Sequence, residues 1–290
     1  VSPVSPVNRR HSPRSVARRS RPPEPPTAPV RLPARPPKPV PESAPVGLST
    51  ERFSSVDAKT LSVAVARLTQ VIPKRSSKVE WTWVLLTLED GMLTLTGGDW
   101  DQRLELAIMA QGVEFPRVAV DFWGLKRILS GVRSPRVGFA VGVGHVSLYS
   151  GNELRGRLSK EALAEYPSGP VHPPVGVGYV PCDGLADALE KAAPFSARAE
   201  TRFALQQVEV RLGDKPRVTA TDGKCLYMET LPKGLAKPVK LLIPPTRVFH
   251  VQNTVALIQE VAVTPETLFL RGDGIALALR VGAGEFPNVD

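Results

Sequence analysis

The chain has 290 residues, 42% of them hydrophobic and 22% charged, with 37 Lys and Arg against 28 Asp and Glu for a formal net charge of +9. That length predicts two domains of ordinary size. No apolar run reaches the roughly 18 residues of a membrane span, and two cysteines, Cys182 and Cys225, exclude a disulfide framework and fit a reducing, cytoplasmic setting.

Residues 1–50 hold 14 of the 30 prolines and nine of the basic residues (Arg9, Arg10, Arg14, Arg18, Arg19, Arg21, Arg31, Arg35 and Lys38), with only Glu24 and Glu42 opposing them. Such a segment has no aromatic residue and too little apolar surface to offset its ordering entropy, so a disordered tail is expected over 1–50. It lacks the apolar core of a secretory signal and begins with Val1, which reads as a processed or excised chain. Pro33-Ala-Arg-Pro-Pro-Lys-Pro39 fits either a polyproline II ligand for an aromatic groove or a semi-rigid tether. The Arg-rich end can attract nucleic-acid phosphates without reading sequence. Setting the tail aside leaves 28 basic against 26 acidic residues, about +2. The basic balance belongs to the tail.

From about residue 51 the pattern becomes globular. Asp57 is an N-cap for a short helix over 61–68. Strands follow at 81–88 and 92–96 around Glu89-Asp90-Gly91, with a third over 102–110; alternation about an acidic Gly turn is a hairpin signal. Val118 to Val120 leads through Asp121 into a helix over 122–129, then strands at 136–141, 145–150 and 153–158. A Pro-, Gly- and Val-rich linker over 171–178 separates this part from a second copy of the same order. There Asp183 precedes a helix over 185–192. Strands are expected at 203–211, 217–221, 225–231 and 240–243, a helical stretch over 247–257, and strands near 262, over 267–271 and over 275–281. Asp99 and Asp222 are 123 residues apart, and Glu165-Tyr-Pro167 precedes Glu285-Phe-Pro287 by 120. Repeats of that size are duplicated domains, not solenoid units. The reading is α+β, with antiparallel sheets and few helices, in two tandem domains over 51–170 and 179–290 that read strand–helix–strands.

Catalytic constellations are absent. His11, His145, His172 and His250 lie apart without metal-ligand spacing, as do the two cysteines, so neither metal nor cofactor is predicted. There is no Gly-x-Ser-x-Gly elbow and no phosphate loop. Gly142-Val-Gly144 and Gly176-Val-Gly178 lack the third glycine of a dinucleotide site. Asp99 and Asp101 have the chemistry to hold a cation or act as acid and base, but read better as solvated turn carboxylates. Arg271-Gly-Asp273 is a hairpin turn. The sequence argues against an enzyme.

Phe203-Ala-Leu-Gln-Gln-Val-Glu-Val210 followed by Arg217-Val-Thr-Ala-Thr-Asp-Gly223 resembles the middle domain of bacterial sliding clamps, the beta subunit of DNA polymerase III. Gly284-Glu-Phe-Pro287 resembles the close of that domain. Glu165-Tyr-Pro167, and Leu93-Thr-Leu-Thr96 with Asp99, resemble the close and the early hairpin of the domain before it. The likeness covers about 51–290, and no third clamp domain follows Asp290. A truncated product or fragment is the favoured reading; the others are a two-domain ring former and a paralogue that no longer encircles DNA.

The resemblance implies a DNA-clamp fold of two tandem duplicated β-α-β-β-β domains, with antiparallel sheets outside and helices lining a central channel around duplex DNA. It implies a non-catalytic processivity factor that acts as a homo-oligomer, away from membranes. The ring would tether the replicative DNA polymerase and the clamp loader through short peptide motifs. Helix positions and one loop then suggest DNA-facing cations: Arg67, Lys74, Arg75, Lys78, Lys126, Arg127, Lys191, Arg247 and His250, each also compatible with an ordinary solvated surface. The family's peptide cleft carries over to Leu205, Thr221, Gly223, Leu226 and Val261, of which the three aliphatic residues read equally as core. Lys224-Cys225 stands where the family usually has His-Arg.

Overall fold

Four times along the chain a strand runs into a helix and then into a three-stranded meander. The computed structural model describes residues 53–198, 203–232, 238–251 and 253–289; the tail read over 1–50 lies outside them. The first repeat is β1 (Ser54–Asp57), α1 (Ala58–Leu68), β2 (Trp83–Glu89), β3 (Met92–Gly98) and β4 (Gln102–Gln111). The second is β5 (Phe115–Asp121), α2 (Phe122–Leu129), β6 (Arg136–Val141), β7 (His145–Ser150) and β8 (Glu153–Ser159). The third is β9 (Val180–Pro181), α3 (Leu185–Ala192), β10 (Val208–Leu212), β11 (Arg217–Thr221) and β12 (Leu226–Thr230). The fourth is β13 (Val239–Ile243), α4 (Thr254–Leu257), β14 (Ile258–Val263), β15 (Thr267–Gly272) and β16 (Ile275–Arg280).

Repeats interlock by exchanging their first strands. β1 pairs with β6 and β5 with β2; likewise β9 pairs with β14 and β13 with β10, all antiparallel. Neither repeat of a pair can therefore complete its sheet alone. The two halves of the chain are then sewn together by their last strands, with Leu104 opposite Leu277 and Leu106 opposite Ile275 where β4 meets β16. Twelve strands form one continuous sheet, while β12-β11-β10-β13 stands apart.

Period-two patterning explains which side is dry. In β2 and β3, Val84, Leu86, Leu88, Leu93 and Leu95 point inward and join Leu61, Val65 and Leu68 of α1 in the main core. The Asp90-Gly91 turn has positive φ at both positions (50° and 69°), as a tight hairpin requires. The opposite face of the same sheet is covered by the chain after β8. Tyr166 packs on Trp83, Leu85 and Ala119, and its hydroxyl donates to the Thr96 carbonyl at 2.7 Å. Arg103 lies 5.3 Å from the Tyr166 ring and bonds the Pro167 carbonyl. The second half repeats the device at its own close, where Gly282 N–H meets the Leu242 carbonyl at 2.7 Å and Phe286 is buried.

Local departures from expectation have identifiable causes. Val79–Thr82 and Phe203–Gln206 are 3₁₀ turns, so β2 and β10 begin later than alternation suggested. Asp183 does not cap α3; Gly184, at φ 76°, occupies the N-cap and supplies no side-chain bond. The helical stretch over 247–257 is broken into a 3₁₀ turn at Val248–His250 and the four-residue α4, with Asn253 left-handed at φ 61° between them.

Candidate nucleic-acid interface and peptide cleft

The helices of the first half are built to end in positive charge. Asp57 Oδ1 accepts the N–H and hydroxyl of Thr60, both at 2.7 Å, which holds its carboxyl below the usual range. Asp121 caps α2 through the N–H groups of Trp123 (3.2 Å) and Gly124 (2.8 Å). A side chain at Gly124 would collide with Asp121 and Leu158, since its Cβ would fall 2.6 Å from Asp121 Oδ2. Leu61, Ala64, Val65 and Leu68 are buried on one helix, and Phe122 and Leu125 on the other; their last turns carry Arg67, and Lys126 with Arg127, where cations favour the helix dipole.

Trp123 then gathers the remaining cations. Its indole N–H donates to the Pro73 carbonyl at 2.9 Å, fastening the loop after α1 against α2. Lys74 and Arg75 follow Pro73 directly, Lys78 lies in the same loop, and all three are exposed. Lys126 Nζ sits 5.1 Å from the Trp123 ring centroid. Among the described residues, none of Lys74, Arg75, Lys78, Lys126 and Arg127 is in an ion pair. Arg67 differs. It is half-buried, its Nε donates to Thr254 Oγ1 of α4 at 2.9 Å, and burial lowers its pKa.

The cations of the second half are placed otherwise. Lys191 bonds Asp187 one turn back and lies 3.6 Å from Glu229; the Asp187 bond above all raises its pKa. His250 Nδ1 is 3.4 Å from Glu190 Oε1. Arg247 is exposed and borders, with His250 and Phe203, a hollow of 670 Å³.

Four of the five cleft residues converge on the β11–β12 loop. Thr221 Oγ1 donates to the Cys225 carbonyl at 2.6 Å and accepts the Gly223 N–H at 3.1 Å. Asp222 Oδ1 accepts the N–H groups of Lys224 (2.9 Å) and Cys225 (2.7 Å), which hold its carboxyl below the ordinary value. Gly223 takes φ 86° and faces Leu205, whose Cδ1 is 3.9 Å from where a Cβ would stand. Leu205 is 2% exposed, whereas Leu226, paired with Thr221, is 49% exposed. Val261 lies on the other sheet between Leu270 and Val180 and is buried in the main core.

Sequence reasoning missed two features. The Trp123–Pro73 bond joins residues 50 apart and has no local signal. Trp100, which lies between the turn residues Asp99 and Asp101, is 66% exposed and packs edge-to-face with Trp81 at 6.4 Å. Asp99 is not a fully solvated turn carboxylate either. It is half-buried, accepts N–H bonds from Asp101 and Gln102 at 2.9 Å, and burial outweighs those bonds to raise its pKa. Among the described residues no three His, Cys, Asp or Glu side chains converge to hold a metal ion, and no helix is long and apolar enough to cross a membrane.

No family model matches the sequence. Solved structures do match. A sliding clamp (DNA polymerase III subunit beta) from Pseudomonas aeruginosa, bound to griselimycin, is 16% identical with a TM-score of 0.70, over 81% of this chain and 66% of that one. The Helicobacter pylori beta clamp, bound to a DNA ligase peptide, is 17% identical with a TM-score of 0.69, over 82% and 68%. The beta subunit from the DNA polymerase of Streptococcus pyogenes gives 16% and 0.70, over 81% and 66%. This chain has the sliding-clamp fold. It spans about two thirds of the length of the clamp chains it matches. At these identities the likeness is one of fold, and the sliding-clamp fold accounts for the interlocked repeats and the shared sheet.

Proposed function

We propose that this protein is a sliding-clamp processivity factor of DNA replication, which encircles duplex DNA without sequence preference and tethers the replicative polymerase and other proteins. It is a non-catalytic accessory subunit. Its architecture is two clamp-type domains, 51–170 and 179–290, joined by 171–178. The observation that carries the reading is the group of cations on the last turn of α2 and the loop after α1 in a clamp fold: Lys74, Arg75, Lys78, Lys126 and Arg127, none of them in an ion pair among the described residues. Surface cations without acidic partners attract phosphates, and phosphate contacts position a protein on duplex DNA without reading its sequence, which suits one that slides. Arg67, Lys191, Arg247 and His250 complete the DNA-facing set.

Edge strands supply the means of association. Among the described residues β5, β8, β9, β12 and β13 each pair with one strand only, and of these β8 and β12 are last strands of their repeats, as β4 and β16 are. Joining β8 or β12 to another clamp-type domain would reuse the pairing that β4 and β16 already make within the chain. Leu154, Leu226 and Met228 are exposed along those edges, a liability unless covered. Thr221, Gly223 and Leu226 at the β11–β12 loop, with Leu205 packed against Gly223, form one wall of a cleft for short linear peptides of the polymerase and clamp loader, and Val261, on the other sheet, completes the carried-over set. A relative of this fold was solved with a DNA ligase peptide bound.

Retention on DNA tests the ring. The chain should remain on nicked circular duplex and slip from the same duplex once linearised. Equal retention on both forms, or a strict monomer by light scattering, would sink the proposal. The exposed Leu226 favours a second reading, a clamp-derived module that binds peptides without encircling DNA. That reading predicts peptide binding without topological retention, abolished by Leu226→Ala.

A further inference from the structure

A second turn has the same construction as the proposed cleft loop. Between β3 and β4, Asp99 Oδ1 accepts two N–H groups just as Asp222 Oδ1 does between β11 and β12. The β3–β4 turn faces the seam where β4 meets β16, so both walls of its pocket are present in this chain. Trp81, Trp100 and Asp101 come from the first half, Glu266, Thr267, Ala278 and Arg280 from the second, and Ser168 to Pro170 close a side. The cavity holds 250 Å³. Its frame is held from both directions: Arg280 N–H donates to the Asp101 carbonyl at 2.8 Å, and the Arg280 guanidinium lies 4.1 Å from the Trp100 ring centroid. Trp100 therefore projects as a braced platform, with its remaining surface open.

The rim sets the chemistry of what it takes. Asp101 and Glu266 are exposed and, among the described residues, outside any ion pair. Arg280 and Arg103 keep their charge but are turned to the Trp100 ring and the Pro167 carbonyl, so the lining sets three carboxylates (Asp99, Asp101, Glu266) against two guanidinium groups. Near-perpendicular indole rings beside free carboxylates match the demands of an extended proline helix carrying Arg or Lys. Its rings pack on aromatic walls with little entropy to lose, and its cations meet the acidic rim. We propose that the Trp81–Trp100 pocket is a docking site for a proline-rich, basic linear peptide of a partner protein. This site is separate from the β11–β12 cleft and does not depend on the clamp reading.

Anisotropy of a labelled Arg-Pro-Pro-Lys-Pro peptide tests it, titrated with the full chain and with a chain that starts at residue 51, because residues 35–39 have the same sequence and compete for the pocket. Binding should weaken at least tenfold in Trp100→Ala, a change at an exposed side chain that leaves the circular dichroism spectrum intact, and similarly in Trp81→Ala. Asp101→Lys combined with Glu266→Lys should weaken it several-fold, and a peptide with Glu in place of Arg and Lys should not bind. Leu226→Ala and Trp123→Phe should leave the titration unchanged. Undiminished binding by Trp100→Ala, equal binding of the acidic peptide, or loss in Leu226→Ala would each overturn the assignment. DNA retention plays no part in the readout, so a failed clamp reading and a failed pocket are told apart.

Discussion

The two halves of the chain share one strand order, differ in a single pairing (β1 bonds β4 as well as β6, while its counterpart β9 bonds β14 alone), and differ more in what their helices present. In the first half, α1 and α2 are capped by Asp57 and Asp121, and α2 ends in Lys126 and Arg127, outside any ion pair among the described residues. In the second, α3 has no side-chain cap, α4 is four residues long, and Lys191 and His250 lie beside Asp187, Glu229 and Glu190. The shared part is what closes the sheets; the differing part is solvent-facing and costs the fold little to change. A repeated fold thus need not repeat its function on every face. The grip on phosphate proposed here is lopsided.

The largest effect expected is on DNA. Replacing Lys74, Arg75, Lys126 and Arg127 by Glu should weaken duplex binding at low salt by more than about 100-fold. The slope of log affinity against log salt should fall by about 0.9 for each phosphate no longer neutralised. Lys191→Glu with Arg247→Glu should cost far less, because Lys191 is already neutralised by Asp187. Equal losses, measured by anisotropy of a labelled duplex across a salt series, would erase the asymmetry. Core deletions should treat the halves alike. Phe139→Ala and Phe269→Ala, each removing a fully buried ring, should destabilise by about 3–5 kcal/mol in urea unfolding.

Capping should separate the halves again. Asp121→Ala should cost about 1 kcal/mol, while Asp183→Ala, at a residue that caps nothing, should stay within about 0.5 kcal/mol of the parent. The smallest effect is a pH dependence. Asp57 has a folded pKa below its ordinary 3.8, so its stabilisation is present above that value and fades as pH falls through the folded one. The stability gap between the parent and Asp57→Ala should be open at neutral pH and narrow steadily below pH 3.8. A gap that widens in acid would contradict the capping geometry.

Much of this was legible in the residues. The Asp caps at 57 and 121, the Asp90-Gly91 hairpin and the meanders follow from local rules that act over a few positions. The clamp-type order of the second half could be read from Thr221-Asp222-Gly223 and Glu285-Phe286-Pro287. Less could be read where local and tertiary preferences compete. Residues 247–257 have helical content, yet Asn253 turns left-handed and splits them. Leu205, Leu226 and Val261 looked alike as apolar residues; packing buries two and leaves Leu226 at the surface.

The sequence by itself determined the charge of the tail, the near-neutral remainder, the order of helices and meanders and their duplication, because composition and periodicity are properties of the chain; the short strands β1 and β9 were not legible in it. Only the tertiary structure decided how each cation is placed. Trp123 reaches back 50 residues to Pro73, Arg67 crosses to Thr254, and Lys191 finds Glu229 on a strand far along the chain. It also decided that Trp100 stands braced and open at the β4–β16 seam. Partners of that kind are set by strand exchange and register, and no local stretch of sequence encodes them.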